Sequence, residues 1–417
     1  MRLFSAWMAL LASCLAGRPL HAQDTIPRLS LERALSIARQ DNPALRSARQ
    51  GIEVARGAKL EAEALPDPWI VWDFEEANGI APGGFGEQRI GIAQFLEFPG
   101  KQGLRGDIGE VQMEIERRRV EVLEAFVLRE VAARYYRAAR AAAAAGILEE
   151  NRELLQQFAE VTRSRYETNQ APYTDVVRTQ LELARIQNDL ISLRLEQRRE
   201  RIGLNLLLGR PSHIPFRMST EELEYRPFAE PLQRILERRL AASRTRQAAA
   251  PRRGQRQTAV RLAGMSNLPD FGLGAFYQRI NQGTSKGFFS AELSLSLPLW
   301  RKRQRGRSIA AQAELRTAEI ELAALRDRVE GDIRQAYEEA ELAAEQVGVF
   351  RTRLLGEAAD ALDAGISAYQ YGEIDALELI DLYRTAKAVR LEYLDALQNY
   401  LVALARLEYS GEILSLD

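Results

Sequence analysis

The chain has 417 residues, 57 basic against 58 acidic side chains, a net charge of −1 and one cysteine. So even a charge balance argues against a nucleic-acid surface, and a single cysteine leaves no disulfide framework inside the chain. The length alone suggests two or three domains, but long helical stretches run through any such division, so the expectation is one unit made of two fused halves.

The first elements are not structural. Arg2 precedes an apolar run from Leu3 to Gly17, and Leu20-His21-Ala22 places a small residue before Gln23. This is the pattern of a secretory signal, so residues 1–22 are set apart from the fold. Leu11-Ala12-Ser13-Cys14 resembles a lipobox, which makes Cys14 an alternative site of cleavage and lipidation. Cleavage after Ala22 is preferred, because an apolar core ending at Cys14 would be very short. No other stretch approaches the roughly 18 apolar residues of a membrane-spanning helix.

The mature chain repeats itself. Leu65-Pro66-Asp67 recurs as Leu268-Pro269-Asp270, an offset of 203, and at that offset Tyr166 meets Tyr369, Asn169 meets Gly372 and Asp175 meets Glu378. A period this long exceeds the roughly 20–50 residues of solenoid units and marks a duplicated half. The first repeat covers residues 23–209: a helix, strands near 68–77 and 87–97, a long helix near 102–166, a corner at Asn169, and a helix to about 207. Residues 210–230, with Pro211, Pro215 and Pro227, read as the crossover between halves, expected to belt a helical tunnel. The second repeat covers 231–417: a helix, strands near 271–280 and 287–298, a long helix near 303–363, a corner at Gly372, and a helix to about 409. Pro251, flanked by Arg252 and Arg253, is expected to kink or end the helix ahead of the third strand.

The strands alternate at period two. Phe289, Ala291, Leu293, Leu295 and Leu297 share one face against Ser290, Glu292, Ser294 and Ser296. Phe271, Leu273, Ala275 and Tyr277 oppose Gly272, Gly274 and Gln278, with the turn expected at Asn281-Gln282-Gly283. In the first half Ile70, Trp72 and Phe74 oppose Val71, Asp73 and Glu75, and Ile90 and Ile92 oppose Gly91 and Ala93. Strands of about ten residues, apolar on one face and with aromatics near their ends, suit a transmembrane β-barrel, although a half-buried soluble hairpin looks similar. The long helices carry a seven-residue recurrence, Leu315, Leu322, Val329, Ala336, Ala343 and Phe350, that keeps one seam on a neighbour. Helix content alone favours an ordinary soluble coiled coil, and the strands change that reading. A barrel cannot leave an edge in lipid and four strands are too few to close, so several chains must pool their strands. Strand physics permits a dimer, trimer or tetramer.

These residues reach a family resemblance. Leu29-Ser30-Leu31-Glu32-Arg33-Ala34-Leu35, Asn42-Pro43, Leu-Pro-Asp ahead of each hairpin, Thr174-Asp175-Val176 and Leu207-Leu208-Gly209 together resemble the TolC-like outer-membrane efflux factors. Pro99-Gly100-Lys101 followed by Arg105 is most similar to the CzcC-type heavy-metal branch. The resemblance implies a mainly α fold with a transmembrane β-barrel. Three chains would form a homotrimer with a twelve-stranded barrel in outer-membrane lipid and a twelve-helix periplasmic tunnel. It further implies a periplasmic adaptor and an inner-membrane pump of the resistance-nodulation-division class as partners. By the same resemblance the corners, with Asn169, Gly372, Thr174 and Asp175, are adaptor-docking tips, and Glu378 and Asp381 line the closed mouth. A solvated acidic face is the other reading of those two carboxylates. Phe271, Leu273, Leu293, Leu295 and Leu297 are the expected lipid-facing residues, and Thr174 the expected N-cap of the returning helix.

No nucleophile motif, phosphate-cradling loop or metal-ligand spacing is present, and His213, in the crossover, reads as structural. No enzyme, cofactor, bound metal or nucleic acid is expected. The expected function is a passive efflux conduit for heavy-metal cations; drug or protein export and a soluble periplasmic scaffold are the alternatives.

Overall fold

The computed structural model describes residues 28–77, 85–282 and 284–413. The expected signal segment with Cys14, residues 78–84 and Gly283 lie outside these. The described residues form nine helices and four strands: α1 (Leu31–Asp41), α2 (Pro43–Glu63), β1 (Trp69–Ala77), β2 (Phe85–Leu96), α3 (Lys101–Glu167), α4 (Tyr173–Leu207), α5 (Leu232–Ala242), α6 (Arg244–Gly264), β3 (Phe271–Gln282), β4 (Thr284–Leu295), α7 (Arg301–Val349), α8 (Leu355–Tyr371) and α9 (Ala376–Glu408). Contacts divide the chain into two compact units, and neither unit coincides with a sequence repeat.

One unit takes residues 44–126, 230–337 and the segment from Tyr409 onward. Its sheet is antiparallel in the order β1-β2-β3-β4, which leaves β1 and β4 as edges. The register pairs Trp69 with Ala93, Ile92 with Ala275 and Phe271 with Leu295. Side chains directly opposite share a face, so alternation within each strand becomes two continuous surfaces. On one, Ile70, Trp72, Phe74, Ile90, Ile92, Leu273, Tyr277, Leu293 and Leu295 are all exposed, and Phe289 is 86% exposed. The other carries Asp73, Arg89, Gln278, Glu292 and Ser294 among small and apolar residues, and Phe276 is buried there. Its ring fills space beside Gly91, where a Cβ would come within 2.5 Å of it. The Arg89 guanidinium lies 4.1 Å from the Phe276 ring centre and donates to Asp73 on β1 at 3.1 Å and Glu292 on β4 at 2.9 Å.

The strands differ from expectation at their ends. Asn281 and Gln282 continue β3 rather than forming the turn, and β4 stops at Leu295, leaving Leu297 beyond the strand. Pro298 has no N–H to extend the ladder.

Lys101, at the start of α3, reaches into the junction below the sheet. Its ammonium donates to Asp270 Oδ1 at 2.7 Å and to the Leu268 carbonyl at 3.1 Å. The Phe98 N–H donates to the same carboxylate oxygen at 2.9 Å. The Leu-Pro-Asp motif of the second repeat is therefore held by the Pro-Gly-Lys segment of the first.

Pro251 lies inside α6, so the helix does not end there. The break in this part of the chain falls at Ser243 instead. There the Ser243 hydroxyl accepts from Arg246 N–H at 3.2 Å, and the Glu412 carboxylate accepts from the N–H groups of Arg244 and Thr245 at 3.0 and 3.1 Å. These contacts satisfy the open donors of a helix start. Beyond Pro251, the Gln255 amide donates to the Ile108 carbonyl at 3.1 Å and to Gln112 at 3.0 Å. Packing on that far side holds the helix through the proline.

The other unit takes residues up to Pro43, 127–229 and 338–408. The crossover lies on it: Leu29 bridges Met218 in parallel, and the Tyr135 hydroxyl donates to the Leu29 carbonyl at 3.1 Å. Leu223, Tyr225 and Phe228 then pack against the cluster of Val347, Phe350, Leu397, Tyr400 and Leu401. His213 is exposed.

The seven-residue seam stops where a π-helical turn, Phe350–Leu354, separates α7 from α8. Phe350 is buried, but Glu357, the next seven-residue step, is exposed. The inward face resumes one position later, at Ala358, and continues at Gly365. A π turn accommodates one extra residue, and that residue resets the seam.

Candidate functional site

Both helix corners lie in the unit that contains the crossover, and their backbones match bond for bond. At the first, Gln170 N–H donates to Arg165 C=O at 2.7 Å and Asn169 N–H to Tyr166 C=O at 3.0 Å. At the second, Glu373 N–H donates to Ala368 C=O at 2.8 Å and Gly372 N–H to Tyr369 C=O at 3.1 Å. Each is a Schellman-type ending, which needs a left-handed residue after the helix. Asn169 supplies it with φ 57° and Gly372 with φ 79°. Asn is the non-glycine residue that best tolerates this region. A Cβ at Gly372 would meet nothing within 4 Å, so glycine is favoured there by backbone strain and not by a neighbour.

Thr174 is not the N-cap. Pro172 occupies that position and makes no side-chain cap bond, and Thr174 is exposed inside the first turn of α4. At the same offset the second corner has Asp375, whose Oδ1 accepts from the Glu378 N–H at 2.9 Å. The Asp175 carboxyl is buried. Burial pushes its pKa up, Arg178 opposes that shift, and the Asp375 carboxylate adds to it.

The corners are tied to each other from α3. The Arg165 guanidinium lies 4.6 Å from the centre of the Tyr369 ring and donates to the Gln370 carbonyl at 3.3 Å. Phe158 meets Tyr369 edge-on at 4.9 Å.

Glu378 and Asp381 are both exposed on α9, three residues apart and hence on one helix face. Asp381 lies close enough to Arg384 to help raise its pKa. Arg384 in turn binds Glu182, which sequence reasoning missed. The Glu182 side chain is 2% exposed and lies 2.6 Å from Arg384, 3.2 Å from Arg185 and 3.9 Å from Lys387. Burial pushes the Glu182 carboxyl up, but the hydrogen bonds and charge of Arg384, with Lys387 and Arg185, outweigh it and leave the group below the usual carboxylate range. A signal was present in sequence: Glu182 and Arg185, Asp381 and Arg384, and Arg384 and Lys387 are each spaced by three.

Among the described residues no group of three or more His, Cys, Asp or Glu side chains is placed to hold a metal, and no helix is long and apolar enough to cross a membrane. Residues 235–410 match the family described as outer membrane efflux protein. Match, motifs and fold together make the chain similar to the outer membrane efflux proteins.

The chain is 21% identical over 390 residues to the cobalt-zinc-cadmium resistance protein CzcC of Cupriavidus metallidurans, covering 92% of this chain and 90% of that one. The fold is shared with CusC, with a TM-score of 0.75 at 15% identity, covering 90% of both chains. It is shared equally with the outer membrane protein VceC of Vibrio cholerae, with a TM-score of 0.74 at 15% identity, covering 92% of this chain and 96% of that one.

Proposed function

We propose that three copies of this chain form the outer-membrane duct of a tripartite efflux system that exports heavy-metal cations. The observation that carries the reading is a sheet with two free edges and an exposed apolar face. Such a sheet is stable in lipid only when its edges are joined, and three copies give twelve strands. Phe271, Leu273, Leu293 and Leu295 then face lipid, Leu297 lies just past the strand, and the helices continue into the periplasm as a tunnel.

The corners at Asn169 and Gly372, with Thr174 and Asp175 beside them, dock onto a periplasmic adaptor that couples the duct to an inner-membrane pump of the resistance-nodulation-division class. Glu378 and Asp381 of three chains ring the mouth with carboxylates. Similarity to a cobalt-zinc-cadmium resistance protein supports metal as the cargo. The chain's own role is conduction, with specificity residing in the pump.

The test is deletion and complementation in the native host. Loss of the gene should lower tolerance to zinc, cobalt or cadmium, and the protein should fractionate with the outer membrane as a heat-modifiable trimer. Restored drug tolerance with unchanged metal tolerance would reassign the cargo. Extraction without detergent would point to a soluble periplasmic scaffold instead.

A further inference from the structure

Internal duplication leaves one half of a contact unfilled within the chain. The Asp270 carboxylate of the second Leu-Pro-Asp is bound by Lys101 at 2.7 Å and by the Phe98 N–H at 2.9 Å. Its copy in the first motif, Asp67, is exposed, and among the described residues it has no ion-pair partner.

The sheet register identifies the missing partner. Trp69 pairs with Ala93, and Gly272, 203 positions beyond Trp69, pairs with Ser294. Ala93 therefore corresponds to Ser294, an offset of 201 for the segment that includes β2 and its continuation. At that offset Phe98 corresponds to Leu299, and Lys101 corresponds to Lys302. The cation is retained at the corresponding position. Lys302 is exposed, next to Arg301 and Arg303, and it also lacks an ion-pair partner among the described residues.

We propose that Asp67 of one protomer binds the partner subunit's Lys302, repeating between chains the contact that Lys101 and Asp270 make within one. The inference rests on the trimeric reading, in which β4 of one chain joins β1 of the next. Transferring the β2–β3 pairing of Ile92 with Ala275 by the same two offsets puts Leu293 opposite Trp72 across that seam. Both belong to the exposed apolar face, so the transferred register keeps every strand facing the correct way, which a one-residue slip would not. The Asp67 carboxylate would then accept from the Leu299 N–H and the Lys302 ammonium, and the Lys302 ammonium would also reach the Leu65 carbonyl.

A zero-length carbodiimide, which joins a carboxylate to an amine only in direct contact, tests this on the intact protein in outer-membrane vesicles. Peptide mass spectrometry should find Asp67 linked to Lys302 in species of two- and three-chain mass. Lys302→Arg keeps the charge but removes the reactive amine, and Asp67→Asn removes the carboxylate. Each should lower the linked yield at least tenfold, while the Lys101–Asp270 link within one chain persists as an internal control. A wild-type trimer with the internal link and no Asp67–Lys302 product would overturn the pair alone. A wild-type protein that is not a trimer in mild detergent would overturn both the pair and the reading beneath it. An Asp67–Lys302 link confined to single-chain mass would also overturn the proposal.

Discussion

Arg384 donates to Glu182 from two of its nitrogens, Nη2 at 2.6 Å and Nε at 3.0 Å. One carboxylate on α4 thereby holds the guanidinium that stands one turn beyond Asp381 on α9. The candidate mouth is not a free acidic stripe: its inner end is countered by a cation anchored from the neighbouring helix.

Glu182 predicts a pH dependence. A carboxyl whose folded pKa lies below its unfolded value stabilises the fold above the unfolded pKa. That contribution is lost as pH falls through the folded pKa. Glu182→Gln should therefore flatten the acid limb of melting temperature against pH. At neutral pH it should destabilise by about 1–3 kcal/mol, because Arg384 loses its charged partner. Parallel acid limbs for the two proteins would show that Glu182 is not among the acid-sensitive groups.

The mouth itself is tested by replacing Glu378 and Asp381 with Ala. Single-channel recordings should show altered conductance and weaker block by divalent cations. Asp381→Ala alone should have the smaller effect, since Arg384 already counters that charge. Recordings that match wild type in both respects would place the constriction elsewhere.

The sheet's apolar face is tested by Leu293→Arg, which near a bilayer midplane should cost about 2–4 kcal/mol and lower the yield of inserted protein. Ser294→Arg, one residue along on the other face, should insert normally. Ser296 is a poor control, because its hydroxyl accepts from the Asp270 N–H at 2.8 Å. Equal yields from Leu293→Arg and Ser294→Arg would refute the lipid-facing assignment.

At the second corner, Gly372→Val should cost on the order of 1–2 kcal/mol through backbone strain alone, and the protein should still reach the outer membrane. Cross-linking to the adaptor and export should fall at normal protein levels. Asn169→Gly should leave both unchanged, as both corners already share one hydrogen-bond pattern. Wild-type cross-linking by Gly372→Val would dissociate the corner from docking.

Much of the fold was legible because its signals are local. Alternation through Phe289 to Leu297 depends only on neighbours in sequence, and the two corners announce themselves by Asn169 and Gly372 at equal offset. The features that stayed hidden depend on distant partners. Pro251 looks like a break until Gln255 is seen bound to α3, and Thr174 looks like a cap until Pro172 takes that place. The Glu182 cluster joins α4 to α9, about 200 residues apart, and Phe276 breaks the alternation only because Gly91 leaves room for its ring.

The π turn at Phe350–Leu354 acts as a phase adjuster for everything beyond it. One residue of an α-helix subtends about 100°. Deleting a single residue within the turn would give an unbroken α-helix and rotate α8 by that angle about its axis. Gly365 and Tyr369 would swing away from α9, and the corner at Gly372 would point in a different direction while every residue of the corner stayed the same. The direction in which the second corner faces is therefore encoded some twenty residues away from it, in the length of one helical turn.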